Sequence, residues 1–95
     1  MCLTRNKIKD VSVLAKLHMV KHLILEGNPI ESIAPLKDMR SLEQLEVKAC
    51  GLVSLDNLDE FQALKTVFAE GNHFSEEQKK EYYKRYPWIK IDFEN

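Results

Sequence analysis

Carboxylate, histidine and cysteine side chains are the groups in this 95-residue chain that could carry chemistry. Glu26, Glu46 and Glu70 are carboxylates on one face of the repeating pattern described below, and a pair of carboxylates can act as general acid and base. That chemistry needs a site that excludes water and shifts a carboxylate pKa, and the open sheet expected here offers neither. No Ser/His/Asp arrangement, phosphate-binding loop or HExxH-like motif is present either. The sequence therefore predicts no catalytic residues and no enzyme activity.

The histidines and cysteines do not form a metal-binding pattern. His18, His22 and His73 show no spacing with Cys2 or Cys50 of the kind that zinc sites require. Two cysteines are also too few for a disulfide framework in so short a chain. We therefore predict neither a metal site nor a cofactor.

Composition and charge narrow the class of protein further. The formal net charge is -1 and the pI is near 6.3, whereas nucleic-acid and membrane-surface proteins usually carry a basic excess. No apolar run approaches the ~20 residues needed to span a bilayer, and the N-terminus lacks the basic-then-apolar run of a secretory signal. The sequence predicts no nucleic-acid or membrane partner and favours a cytoplasmic location.

A 22-residue period runs through most of the chain and is the main structural signal. Asn6, Asn28, Cys50 and Asn72 are each separated by one period. Apolar residues keep the same register without an insertion: Met1, Leu23, Leu45 and Val67; Leu3, Leu25, Val47 and Ala69; Ile8, Ile30, Leu52 and Phe74; Val11, Ile33 and Leu55; Leu14, Leu36 and Leu58; Leu17, Met39 and Phe61; Val20, Leu42 and Leu64.

Two spacings alternate inside each period. Leu23 and Leu25 alternate with His22, Ile24 and Glu26, and alternation of period two is typical of a short half-buried strand. Apolar residues then recur at every third position over residues 30–42, which suits 3₁₀ or short helical turns. One such unit cannot bury its apolar edge alone, so stacked units are expected to form a continuous core and a parallel sheet.

The Asn column has a physical explanation. A sharp turn after each strand leaves backbone N–H and C=O groups pointing inward, and buried backbone groups need partners. An Asn side chain offers two donors and an acceptor, so Asn6, Asn28 and Asn72 are predicted to be structural. Cys50 replaces Asn in one unit as a small, weakly polar side chain that tolerates burial, and we interpret it as structural rather than as a reactive thiol.

The segments LILEGNPIESIAPL and LEVKACGLVSLDNL resemble the leucine-rich-repeat consensus. The strict period resembles the 22-residue subclass, which is shared by the internalins, a phosphatase regulatory subunit, a spliceosomal structural subunit and short bacterial leucine-rich-repeat proteins. The resemblance implies an α/β solenoid. It would be a right-handed superhelix with short parallel strands on its concave side and 3₁₀ or helical segments on its convex side. The repeats would occupy residues 1–74, with a partial first repeat. Such a resemblance specifies a scaffold far better than a partner.

A cap is predicted over residues 75–95. Ser75 and Gln78 match a capping box, and the helix they begin is expected to reach about Tyr86 because Pro87 discourages continuation. A last strand should follow, with Ile89, Ile91 and Phe93 inward, and Trp88 with its neighbours should seal the core. The alternative interpretation of these aromatic residues is a ligand-binding cluster, but a solenoid end must be covered.

The N-terminus shows no comparable cap. Met1 occupies the column of Leu23, so the first unit should expose apolar side chains and an unpaired strand edge, which is an association hazard. Three interpretations are open. The chain is a fragment of a longer repeat protein, its first unit is frayed, or the edge pairs with another copy or with a partner.

The outward side chains of the strands are the predicted binding site. They are not committed to the core, and they combine apolar Ile24 and Phe68 with charged residues. We predict that the chain is an interaction module that binds a partner protein through His22, Ile24, Glu26, Gln44, Glu46, Lys48, Thr66, Phe68 and Glu70. The simpler interpretation is a solvated ladder of lateral ion pairs, each of which stabilises little. Two alternative functions are an immunity or inhibitor protein for a toxic enzyme, and a C-terminal fragment of a larger receptor or adhesin.

Overall fold

A computed structural model describes residues 1–30, 32–55 and 57–93. Four strands form one parallel sheet in the order β1-β2-β3-β4. They are His22–Ile24 (β1), Gln44–Glu46 (β2), Thr66–Phe68 (β3) and Lys90–Asp92 (β4). The return segments contain the 3₁₀ helices Val11–Leu14, Ala34–Asp38 and Leu58–Glu60 and the α-helix Glu76–Arg85 (α1). This is the leucine-rich-repeat-like α/β solenoid that the sequence predicted.

The 22-residue columns become the register of the sheet. His22 pairs with Gln44 and Gln44 with Thr66, and Leu23, Leu45 and Val67 pair in the same way. The step from β3 to β4 is longer, since Thr66 pairs with Lys90. The α-helical return therefore uses two more residues than each 3₁₀ return.

The core is built from the inward side chains of the strands and of the returns. Leu25, Leu36, Leu45 and Leu55 are completely buried. Burying a side chain of this size stabilises the fold by about 1.5–3 kcal/mol. Because every unit contributes to the same columns, the buried residues form one continuous cluster.

Asn28 and Asn72 make the predicted hydrogen bonds to inward-pointing backbone. Asn72 Oδ1 accepts from the N–H groups of Cys50 and Leu52 at 2.9 and 3.0 Å, and its Nδ2 donates to Val47 and Ala69. Asn28 repeats the pattern one unit earlier.

The other two members of the Asn column differ. Cys50 is buried and its Sγ donates to the Leu25 carbonyl oxygen at 3.1 Å, which agrees with its structural interpretation. Among the described residues the Asn6 side chain has no bond of this kind, and the structural role predicted for it stays a prediction. Asn6 is exposed and contributes only its backbone N–H, which donates to Asn28. Asn28 and Asn72 bond backbone of the unit before their own, and no described unit lies before Asn6.

The C-terminal segment covers one end of the core. The Ser75 and Gln78 capping box is present, and α1 ends at Arg85, one residue before the expected Tyr86. Ile89, Ile91 and Phe93 are buried as predicted, together with Tyr82 and Tyr86. The predicted cap boundary of residue 95 lies outside the described residues.

Trp88 does not have the role predicted for it. Its side chain is 57% exposed, and its ring lies nearly perpendicular to the Tyr86 ring with the centroids 5.9 Å apart. Trp88 lies just before β4, next to the inward-facing Ile89, so the alternation of the strand turns its ring away from the core. Tyr82, Tyr86 and Phe93 cover the core instead.

The first unit is paired on one side. Cys2 forms a single parallel bridge with Ile24, and the Met1 carbonyl oxygen accepts from the Ile24 N–H at 2.8 Å. Its apolar residues Leu3, Ile8, Leu17 and Val20 are only partly buried, whereas their equivalents in the second unit are buried. The expected exposure of apolar side chains in the first unit is therefore confirmed.

Candidate functional site

The candidate site is the outward face of the sheet, which we call the strand face. It comprises the outward side chains of β1–β3 and of the residues that continue each strand: His22, Ile24, Glu26, Gln44, Glu46, Lys48, Thr66, Phe68 and Glu70. Leu23, Leu45 and Val67 are fully buried between them, and alternation places their neighbours on the opposite side. The sheet register, continued by backbone hydrogen bonds beyond the strand ends, brings all nine residues onto one face.

Glu46 lies at the centre of this surface. Its Oε2 is 2.6 Å from His22 Nε2, and Gln44 Nε2 lies 3.1 Å from the same histidine nitrogen. The other carboxylate oxygen of Glu46 is 3.9 Å from Lys48 Nζ. Glu46 thus connects polar side chains from β1 and from the end of β2.

Lys48 joins this group to Glu70. Its Nζ lies 3.3 Å from Glu70 Oε2, and the Glu70 side chain is only 6% exposed. Hydrogen bonding to the Glu70 carboxylate raises the pKa of Lys48. The closest carboxylates to Lys48 are those of Glu70 and Glu46.

The burial of Glu70 differs from the expectation for an outward residue. Its carboxylate is nearly enclosed, and a buried charge is tolerated when it is paired. Lys48 supplies that pairing. Glu70 is therefore not the exposed carboxylate that its outward position predicted.

The two apolar residues of the strand face are half-buried rather than fully open to solvent. Phe68 lies in register between Glu46 and Asp92, and Lys48 Nζ lies 5.5 Å from the centroid of its ring, within the range of a cation–π contact. Ile24 lies between Cys2 and Glu46. Neighbouring side chains therefore cover part of each apolar surface and leave the rest accessible.

Glu26 and Thr66 lie on the strand face but outside the connected polar group. Neither side chain has a hydrogen bond or ion pair to another described residue. Glu26 is half-buried and stays close enough to Lys48 to add to the field that favours its charged form. Its carboxylate oxygens are available to a cation from a partner.

The structure adds residues that the sequence analysis left out of the site. Lys90 and Asp92 continue the strand face on β4, beside Thr66 and Phe68. The predicted inward positions of Ile89, Ile91 and Phe93 already implied that both point outward, so alternation was the available signal. At the opposite edge, Cys2 Sγ lies 3.3 Å from Thr4 Oγ1, and this contact lowers the pKa of the exposed Cys2 thiol.

Metal ligands and thiols are the other groups that could act on a bound molecule. Among the residues that the structure describes, no three His, Cys, Asp or Glu side chains are grouped so as to hold a metal ion. Burial raises the pKa of the Cys50 thiol, which disfavours the reactive thiolate. The arrangement is suited to presenting paired charges and apolar surface to another molecule.

A scan against protein-family models finds no match, and a search of curated proteins finds none. The leucine-rich-repeat-like arrangement therefore stands on the structure itself: parallel strands in sequence order, joined by 3₁₀ returns. No helix within the described ranges is long and apolar enough to cross a membrane.

Proposed function

We propose that this chain is a protein-interaction module that binds a partner protein through the strand face. The observation that carries the proposal is the connected group of Glu46, Lys48 and Glu70 around the half-buried ring of Phe68. Apolar and aromatic anchors surrounded by polar groups are characteristic of binding hot spots. A continuous open sheet favours a macromolecular partner over a small molecule, which needs a concave pocket.

Pairing within the strand face also supports binding. Side chains held by hydrogen bonds and ion pairs before binding lose less conformational entropy when a partner arrives. Lys48 is restrained by Glu70 and Phe68, and Glu46 by His22. A partner that covers Phe68 would meet these polar groups in fixed positions, which gives specificity as well as affinity.

A second candidate function is the inhibition of an enzyme whose active site is basic. Its support is the acid excess of the strand face extended onto β4. This extended face carries two lysines, Lys48 and Lys90, and four carboxylates, which belong to Glu26, Glu46, Glu70 and Asp92. An inhibitor of this kind would block its target enzyme in a one-to-one complex that weakens as salt rises.

The proposal is tested by affinity capture from the native host with the intact chain. The double variant Phe68→Ser with Glu46→Lys removes the aromatic anchor and reverses a central charge. We expect it to lose the captured partner while its far-ultraviolet circular dichroism and thermal unfolding stay close to those of the original chain.

The matched control is Val53→Ser with Asp59→Lys. Both residues are exposed and lie outside the strands, and the two changes have the same chemical character. Capture should be retained by this control. Equal recovery of the partner by both double variants would rule out the strand face as the binding surface.

A further inference from the structure

Charge is distributed unevenly along the chain. Residues 1–21 contain five Lys or Arg and one Asp, a formal charge of +4, whereas the remaining residues contain nine Lys or Arg and fourteen Asp or Glu, a formal charge of -5. The near-neutral total therefore conceals a basic first unit on an otherwise acidic molecule. Local fields of this kind attract groups of opposite charge and speed their association.

A shallow groove on the return side contains Lys16 of this first unit, together with Arg40 and one acid, Asp38. It lies where the first two 3₁₀ helices meet and has a volume of about 390 Å³. We call it the return-side groove. Its lining residues are Ser12, Ala15, Lys16, His18, Asp38 and Arg40.

The two permanent cations of the groove are not neutralised. Lys16 and Arg40 form no ion pair with another residue in the described part of the chain, although Asp38 lines the same groove. Elsewhere on the return side, Lys37 pairs with Glu60 at 3.6 Å. Lys16 and Arg40 therefore remain available to an external anion.

Exposed apolar residues lie next to the groove in the sequence. Val13 follows Ser12 and is 71% exposed, and Met19 follows His18 and is 88% exposed. A free phosphate or another small anion would gain nothing from these two side chains. A peptide that carries both acidic and apolar residues offers groups that suit the cations and the exposed apolar side chains alike.

We propose that the return-side groove binds an acidic, partly apolar segment of a partner polypeptide. Charge complementarity selects this occupant over two others. A nucleic acid is a long polyanion, and the -5 charge of residues 22–95 would repel whatever extends beyond the groove. Two copies meeting through their first units would bring +4 against +4, which like-charge repulsion opposes. This site is separate from the strand face and does not depend on it.

The experiment is a titration of the isotope-labelled intact chain with a blocked hexapeptide of sequence EELEEL, followed by amide chemical shifts. We expect shifts concentrated in residues 12–19 and 38–40, and binding that weakens with added salt. The variant Lys16→Glu with Arg40→Glu should weaken binding by about tenfold or more, as loss of two charge contacts would. If its thermal unfolding shows a damaged fold, Lys16→Gln with Arg40→Gln replaces it.

The matched control is Lys80→Glu with Lys84→Glu, which makes the same change in net charge on exposed positions of α1. It should leave binding within about twofold, because the effect of distant exposed charges is screened. Equal weakening by the two charge-reversal variants would overturn the proposal, as would shifts confined to other residues. Tighter binding of a dodecameric oligothymidylate in the same groove would overturn the choice of a polypeptide.

Discussion

Lys48 Nζ lies 3.3 Å from Glu70 Oε2, and that carboxylate is almost completely enclosed just beyond the end of β3. The pair connects the functional proposal to the stability of the fold. Lys48 compensates the buried charge of Glu70 and at the same time reaches across to Glu46 and Phe68. A partner that binds here would contact a lysine whose position is already set.

Replacement of Lys48 with Met should lower the free energy of unfolding near neutral pH, because Glu70 would keep a buried charge without its partner. The pKa of Lys48 is raised by Glu70, so its contribution is complete below about pH 10.5, the unfolded value, and is lost as pH rises through the folded value. Urea unfolding should show that the difference in free energy of unfolding between the original chain and Lys48→Met is smaller at about pH 11.5 than at about pH 8. The control is Lys90→Met, an exposed lysine of the same sheet. If Lys48→Met lowers the free energy of unfolding at about pH 8 no more than Lys90→Met does, the Lys48–Glu70 pair does not stabilise the fold.

Replacement of Asn72 with Ala should destabilise the fold by about 2–3 kcal/mol, because partly buried N–H and C=O groups would lose their partners. Five backbone groups bond to this one side chain, those of Cys50, Leu52, Val47, Ala69 and Glu70. Asn6→Ala is the matched control, since Asn6 is exposed, and it should change stability by less than about 0.5 kcal/mol. Chemical denaturation of both variants measures the difference, and similar losses would argue against the role assigned to Asn72.

The two buried tyrosines of the cap should respond differently to loss of their hydroxyl groups. The Tyr82 hydroxyl oxygen accepts from the Leu55 N–H at 3.0 Å, whereas the buried Tyr86 hydroxyl has no hydrogen-bond partner among the described residues. Tyr82→Phe should cost about 1–3 kcal/mol by leaving a buried N–H unsatisfied. Tyr86→Phe should be neutral or stabilising. Thermal unfolding compares the pair, and a larger loss for Tyr86→Phe would contradict this account.

The two cysteines should differ in reactivity. Cys2 is exposed and its pKa is lowered by Thr4, while burial raises the pKa of Cys50. Because the thiolate is the reactive form, iodoacetamide should modify Cys2 first in the folded protein. The alkylation rate of Cys2 should begin to rise at a lower pH than that of a cysteine with an ordinary pKa. Thr4→Val should move that profile to higher pH, and an unchanged profile would exclude Thr4 as the cause.

Residues that are 22 positions apart in the sequence lie side by side on neighbouring strands in the structure. A fixed period places equivalent residues in register, so the alignment of His22, Gln44 and Thr66 could be predicted from the sequence alone. The Ser75 and Gln78 capping box was equally visible, because it depends on residues only three positions apart. What repeats, or what is local, can be inferred from the sequence.

Other features depend on which residues lie beside a given position in space. Glu26, Lys48 and Glu70 occupy one column, yet only Glu70 is buried. Arg5 and Ala49 share a column with Gly27 and Gly71, and all four adopt positive φ angles, between 50° and 75°. At Gly27 and Gly71 the residue type itself predicts a positive φ angle. Arg5 and Ala49 adopt the same φ region because their backbone stacks in register with that of the neighbouring units.

The most direct test of the strand face as a binding surface is hydroxyl-radical footprinting of side chains, with and without the captured partner. Side-chain oxidation suits this question because the strand amides are already hydrogen-bonded within the sheet. We predict protection of His22, Ile24 and Phe68 on binding, with unchanged oxidation of the exposed Tyr83 and Trp88 at the cap. Protection of Tyr83 and Trp88 with no change at Phe68 would contradict the account.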